Sequence, residues 1–181
     1  MEPLPSFKYH PDPVATGVVE ASESPCLGCN RIRGLIYTGP VDSEKFHHLS
    51  GSLCPWCIAD GTAAARFGAV FNDAGAMDGV SPEVRWEVES RTPGFIGWQQ
   101  EQWLACCGDA AAFLGLAGAK ELREQFPEAI RAVKEHLEED YDLSGADLEE
   151  FFAGLKKDDQ PTAYVFRCLH CRKYLAYVDQ T

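Results

Sequence analysis

An α+β fold built on metal-binding cysteine knuckles is what the sequence predicts, and three observations predict it. Six of the eight cysteines stand in Cys-x-x-Cys pairs: Cys26-Leu-Gly-Cys29, Cys54-Pro-Trp-Cys57 and Cys168-Leu-His-Cys171. Short apolar segments with β-branched and aromatic residues flank the first and last pairs, as strands would. Between them, capping residues and apolar stripes at helical spacing mark a helical middle. The expected architecture is a treble-clef-like or zinc-ribbon N-terminal part, a helical middle and a C-terminal β-hairpin knuckle. It divides into an N-terminal zinc-knuckle subdomain over 1–75 and a helical region with the Cys-x-x-Cys hairpin over 76–181, packed as one unit.

Taken in order, residues 1–25 hold five prolines and little periodicity, so they read as an extended lead-in that lays Phe7 and Tyr9 on the body. A strand is expected over Arg33–Gly39, stopped by Gly39-Pro40. The second knuckle leads into an alanine-rich helix over Ile58–Phe67 with Gly68 as its stop. Knuckle, hairpin and a helix carrying the second pair is the order of a treble clef. Ser81-Pro82-Glu83 opens a helix to residue 90, with serine as cap and proline at the first turn, and Thr92-Pro93-Gly94 breaks it. The large apolar groups of Phe95–Cys107 recur at three- to five-residue steps and predict another helix, interrupted at Gly108-Asp109 and continued by Ala110–Leu114. Ile130, Val133 and Leu137 form the stripe of an amphipathic helix. Ser144 caps one more, to about Leu155. Thr162–Arg167 and Lys173–Val178 read as two strands folded over the last knuckle.

Two residues between cysteines let both thiolates converge on one ion at about 2.3 Å, and two such knuckles close a tetrahedral zinc site. Cys26, Cys29, Cys54 and Cys57 make one such set. Cys168 and Cys171 need two more ligands, and the unassigned cysteines are Cys106 and Cys107. A second zinc held by Cys107, Cys168 and Cys171, completed by Cys106 or by His170, is expected if the chain turns at Gly108. A thioredoxin-like redox pair would want a βαβ setting that is missing. The deaminase signature is half present, because no His-x-Glu precedes Cys54-Pro-Trp-Cys57. Asp109 or Glu101 is the carboxylate that a catalytic zinc would use as general base, and His47-His48 could be a spare ligand or a proton shuttle, although loop histidines are more often exposed and inert. No dinucleotide, Walker, nucleophile-elbow or zincin motif occurs.

The net charge is −12, and each zinc in four thiolates adds a further two negative charges. Residues 120–159 carry thirteen acidic and six basic side chains, a local net charge of −7. Such a field repels phosphate backbones and draws basic partners, so a protein partner is expected and nucleic acid is not. The N-terminus lacks a basic start and apolar run, and no stretch approaches the roughly 18 apolar residues of a membrane span. The expected location is the cytoplasm, where thiols stay reduced and free for metal.

Phe7-Lys-Tyr-His-Pro-Asp-Pro13 with Thr16-Gly17, Ile36-Tyr-Thr-Gly-Pro40, Leu53-Cys-Pro-Trp-Cys-Ile-Ala-Asp-Gly61 and Arg91-Thr-Pro-Gly-Phe95 with Trp98-Gln99 resemble the CbrC family of small bacterial proteins with three Cys-x-x-Cys pairs. The resemblance implies a link to colicin tolerance, and kinship with immunity proteins encoded beside secreted toxins. It supplies no catalytic residue. The expected function is thus a non-enzymatic, zinc-stabilised cytoplasmic protein that binds a cationic toxin domain. The competing expectation is a zinc-dependent enzyme or regulator using Cys106, Cys107, Cys168 and Cys171.

Overall fold

The computed structural model describes residues 2–75 and 77–180; Met1, Ala76 and Thr181, which open the first expected unit and open and close the second, lie outside the described residues. Strands β1 (Val19–Ser22) and β2 (Gly34–Tyr37) pair antiparallel, with Val19 opposite Tyr37 and Ser22 opposite Gly34. The first cysteine pair lies in the connection between them. The hairpin expected after the knuckle is reduced to a single bridge between Tyr37 and Leu53, which delivers the chain to Cys54. Helix α1 (Pro55–Ala59) starts directly after it, and α2 (Thr62–Phe67) follows; the one helix expected over 58–67 is broken at Gly61, whose φ is +81°. Helix α3 (Pro82–Arg91) forms as expected, its Ser81 hydroxyl accepting from the Val84 amide at 3.3 Å.

The middle of the chain departs from the expected helices. Residues 95–104 are irregular, and β3 (Ala105–Cys106), β4 (Asp109–Ala110) and β5 (Ala112–Ala117) follow. Two causes explain this. Phe95 and Trp103 are nearly fully buried in one aromatic cluster, reached from a loop rather than along a helix face. Ala112–Ala117 pairs with a later strand, and tertiary pairing overrides the helical preference of alanine.

Helices α4 (Ala119–Glu124), α5 (Ile130–Asp140) and α6 (Gly145–Gly154) come next, α5 entered through a 3-10 turn at Pro127–Ala129. Strands β6 (Thr162–Arg167) and β7 (Tyr174–Asp179) complete an antiparallel sheet in the order β5-β6-β7. Side chains alternate across it with period two. Phe113, Tyr164, Phe166 and Tyr177 face the aromatic cluster, whereas Ala117, Ala163, Val165 and Val178 face the helices. Val133 and Leu137 press the expected stripe of α5 into the latter side, with Leu148 and Phe152 of α6 beside them. The register slips at Gly115 of β5, a bulge taken up by its φ of +137°. A third cluster, from Phe7 to Phe71, surrounds the first cysteine group. In the lead-in, Phe7 enters that cluster and Tyr9 the aromatic one, so the segment bridges both.

Candidate metal centres

All eight cysteines are unpaired as disulfides, and their sulfurs gather into two groups, Cys26/Cys29/Cys54/Cys57 and Cys106/Cys107/Cys168/Cys171, each within 4.8 Å. In the first group, Cys26 Sγ lies 3.7 Å from Cys57 Sγ, and Cys29 Sγ lies 3.8 Å from Cys54 Sγ. In the second, Cys106 Sγ lies 3.7 Å from both Cys107 Sγ and Cys171 Sγ. A tetrahedron with metal–sulfur bonds of about 2.3 Å has edges of about 3.8 Å. Disulfide sulfurs would instead lie about 2.05 Å apart. The spacing is that of ligands around a common centre.

The local folding explains how each group forms. Cys26 Sγ accepts from the amides of Gly28 and Cys54, both at 3.2 Å, which folds the first knuckle around its own sulfur and ties it to the second. A Cβ on Gly28 would stand 2.9 Å from Cys57 Sγ, so only glycine allows this approach. Arg66 donates to the Gly28 carbonyl, and the Arg33 guanidinium lies 5.1 Å over the Trp56 ring. Cys26, Cys54 and Cys57 are buried and Cys29 is half-buried.

The second group joins two hairpins. β3 and β4 are linked by Cys107-Gly108, with φ of +56° and +74°, and Cys106 pairs with Asp109 across the turn. Left-handed backbone at both central positions marks a type I′ hairpin, for which glycine is favoured. The turn that brings both cysteines to one side is therefore a β-turn, not a helix end. The other half is the β6–β7 connection, where the Cys171 amide donates to Cys168 Sγ at 3.4 Å. Cys168 is buried, Cys106 is half-buried, and Cys107 and Cys171 are exposed.

Crowding forces the thiols apart in acidity. In the first group, hydrogen bonding with Cys54 holds Cys26 down to about 4, with backbone amides assisting. Burial and the Cys26 charge push Cys57 up to about 12. Cys168 is lowered to about 6 against its burial, by amides of Cys171 and His170, while burial and the neighbouring sulfurs raise Cys106 to about 12. Several thiolates cannot share so small a volume without a cation, and a divalent ion would provide it.

His170 stands outside the group of four sulfurs. Its Nε2 lies 2.8 Å from Asp109 Oδ2, which also accepts from Lys8 Nζ at 3.0 Å. Asp109 Oδ1 accepts from the Tyr9 hydroxyl at 2.7 Å and the Ala110 amide at 2.9 Å. These bonds hold the Asp109 carboxyl below its ordinary range despite burial, and burial with Asp109 raises Tyr9 to about 12. With both oxygens engaged, Asp109 braces hairpin, knuckle and lead-in rather than serving as a free general base. Glu101 lines a separate cavity, and His47 and His48 lie exposed in a loop outside both cysteine groups. Sequence reasoning missed this brace, because its partners Lys8 and Tyr9 lie about a hundred residues away.

Fold and site together define an α+β protein with two groups of four cysteines, each able to hold a metal ion. No helix among the described residues is long and apolar enough to cross a membrane. The chain belongs to the Uncharacterised protein family UPF0167, whose model matches residues 4–180. It is 49% identical over 178 residues to UPF0167 proteins Mb2317 of Mycobacterium bovis and MT2352 of Mycobacterium tuberculosis, covering 97% of this chain and 93% of each relative. Against UPF0167 protein PA1536 of Pseudomonas aeruginosa it is 43% identical over 172 residues, 93% of either chain. No solved structure matches it.

Proposed function

We propose that each cysteine group holds one zinc ion as a structural staple, and that the protein is a non-enzymatic cytoplasmic binder of a basic protein partner. The observation that carries the zinc reading is the sulfur spacing of 3.7–3.8 Å in both groups. Four soft donors suit zinc and fill its coordination shell, leaving no open position for substrate or water. The first ion organises residues 1–75 in a treble-clef-like arrangement of knuckle, bridge and helix; the second clamps the β3–β4 hairpin onto the β6–β7 knuckle within 76–181.

The partner reading draws on charge. Glu138, Glu139, Asp140, Asp142, Asp147, Glu149 and Glu150 are all exposed on α5, α6 and the turn between them. A face of this sign steers cationic partners and repels nucleic acid. Resemblance to the CbrC family makes a basic toxin domain the candidate, with tolerance or immunity as the outcome. Co-expression with a toxin-like domain encoded beside this gene tests it: protection and co-purification are expected, weakened by charge reversal at Glu138 and Glu149. Absence of both binding and protection discards the partner.

The exposure of Cys107 and Cys171 favours one alternative, an enzyme or regulator acting through the second group. Under it, Cys107→Ser abolishes activity while the fold persists; under the structural reading the same change acts only through metal retention and stability.

A further inference from the structure

The two cysteine groups share a donor set and a sulfur spacing but differ in what covers them. In the first, Cys26 and Cys54 are 1% exposed and Cys57 is 2% exposed, within a core that also holds Phe7, Ile58 and Phe67. In the second, only Cys168 is buried. Cys107 is exposed at the tip of the β3–β4 turn, and Cys171 is exposed in the β6–β7 connection. We propose that the second group is an oxidation site, at which hydrogen peroxide joins Cys106 and Cys171 in a disulfide and zinc is released, while the first group keeps its ion. The inference rests on the zinc reading of these sulfurs and adds a regulation to it.

Reactivity at sulfur needs a thiolate and access to it. Zinc deprotonates its thiol ligands outright, so both groups hold thiolates when loaded. Access then separates them, because a peroxide reaches Cys171 and Cys107 from solvent and meets packed side chains over Cys26, Cys54 and Cys57.

Geometry selects the bridge. Cys171 Sγ lies 3.7 Å from Cys106 Sγ, across two hairpins and 65 residues apart in sequence. Closing that gap to the roughly 2.05 Å of a disulfide takes a shift of under about 2 Å between two turns. Cys107 Sγ is equally near Cys106 Sγ, but the two are sequence neighbours, and a bridge between them closes a small ring that strains the planar peptide. Cys168 is 1% exposed, and its sulfur accepts the Cys171 amide at 3.4 Å.

The step balances. The Cys171 thiolate attacks one oxygen of hydrogen peroxide, the O–O bond breaks, and the departing hydroxide takes a proton to become water. Cys171 is then a sulfenic acid. The Cys106 thiolate attacks that sulfur, forms the S–S bond and expels a second hydroxide, which leaves as a second water. Two electrons pass from the sulfurs to the peroxide. Cys107 and Cys168 remain, too few to hold zinc, and take up protons as it departs. The fold survives the loss, since Asp109 still ties the β3–β4 hairpin to Lys8, Tyr9 and His170 and the new bridge ties it to the knuckle.

The test treats the untagged, zinc-loaded full chain with excess hydrogen peroxide beside a chromogenic zinc chelator, with alkylation and peptide mapping at each time point. One zinc equivalent is expected to leave about tenfold or more faster than the other, following exposure. A Cys106–Cys171 bridge should accumulate in step with it, while Cys26, Cys29, Cys54 and Cys57 stay reduced and amide dispersion in NMR persists. Dithiothreitol with zinc chloride should restore the starting state. Equal release of both ions, release without a bridge, or a bridge between any other pair overturns the proposal. Two zinc equivalents that both resist peroxide remove this inference and leave the zinc reading standing. Fewer than two equivalents before treatment fails the zinc reading itself, and this inference with it.

Discussion

Replacing Asp109 by alanine removes the acceptor on which Lys8, Tyr9, His170 and the Ala110 amide converge. Losing one side of a buried charged network costs about 3–5 kcal/mol. Here Lys8 and His170 side chains are 47% and 56% exposed, so water rescues both and their shares shrink. What remains is the Tyr9 O–H, whose oxygen still accepts from Lys8 at 2.7 Å, and the Ala110 amide, two donors left without an acceptor at about 1 kcal/mol or more each. The expected loss is therefore about 2–3 kcal/mol, read as a lowered urea midpoint at unchanged slope. Because Asp109 also orients the loop carrying Cys106 and Cys107 against His170, the second zinc should loosen by about 10–100-fold in a chelator competition, as outer-shell losses do. The first zinc should not change. Asp109→Asn keeps one acceptor and should fall between. A stability change under about 0.5 kcal/mol with both zinc affinities intact would remove Asp109 as a brace.

Two further perturbations follow from the same geometry. His10 is fully buried between the Pro93 carbonyl at 2.8 Å and the Thr16 hydroxyl at 2.7 Å, and burial pushes it down to about 4. The unfolded chain, with histidine near 6.5, takes up the proton first; stability is full above about pH 6.5 and falls by about 3 kcal/mol towards pH 4. His10→Gln should remove that share of the slope in urea midpoints measured at pH 5 and 7, and an identical slope in both proteins would contradict it. Gly28→Ala places a methyl group 2.9 Å from Cys57 Sγ. Metal analysis should then show the first zinc lost and the second retained, whereas full retention of both would show that the knuckle tolerates a side chain.

Much of this architecture can be read from local signals. The knuckles, the capped α3, the stripe of α5 and the two strands around Cys168 and Cys171 each depend on residues a few positions apart. The segment from Phe95 to Ala117 does not. Its apolar steps resemble a helix face, yet Phe95 stacks on Phe113 at 4.1 Å between ring centroids and Trp103 donates to the Ala111 carbonyl at 3.0 Å, contacts set by the later sheet. Alanines at 110–112 favour a helix in isolation, and pairing with β6 decides otherwise. For the site, the grouping of Cys106 and Cys107 with Cys168 and Cys171 followed from counting ligands, while the type I′ turn that permits it was hidden behind an expected helix. The Asp109 brace was illegible for another reason: it assembles residues brought together only by the fold.

Both cysteine groups are proposed as four-thiolate zinc sites. Zinc K-edge absorption together with metal analysis on the untagged protein tests this most directly. Two zinc equivalents per chain, each with four sulfur neighbours at about 2.3 Å, are predicted. One equivalent or none, or a first shell containing nitrogen or oxygen in place of sulfur, would contradict it.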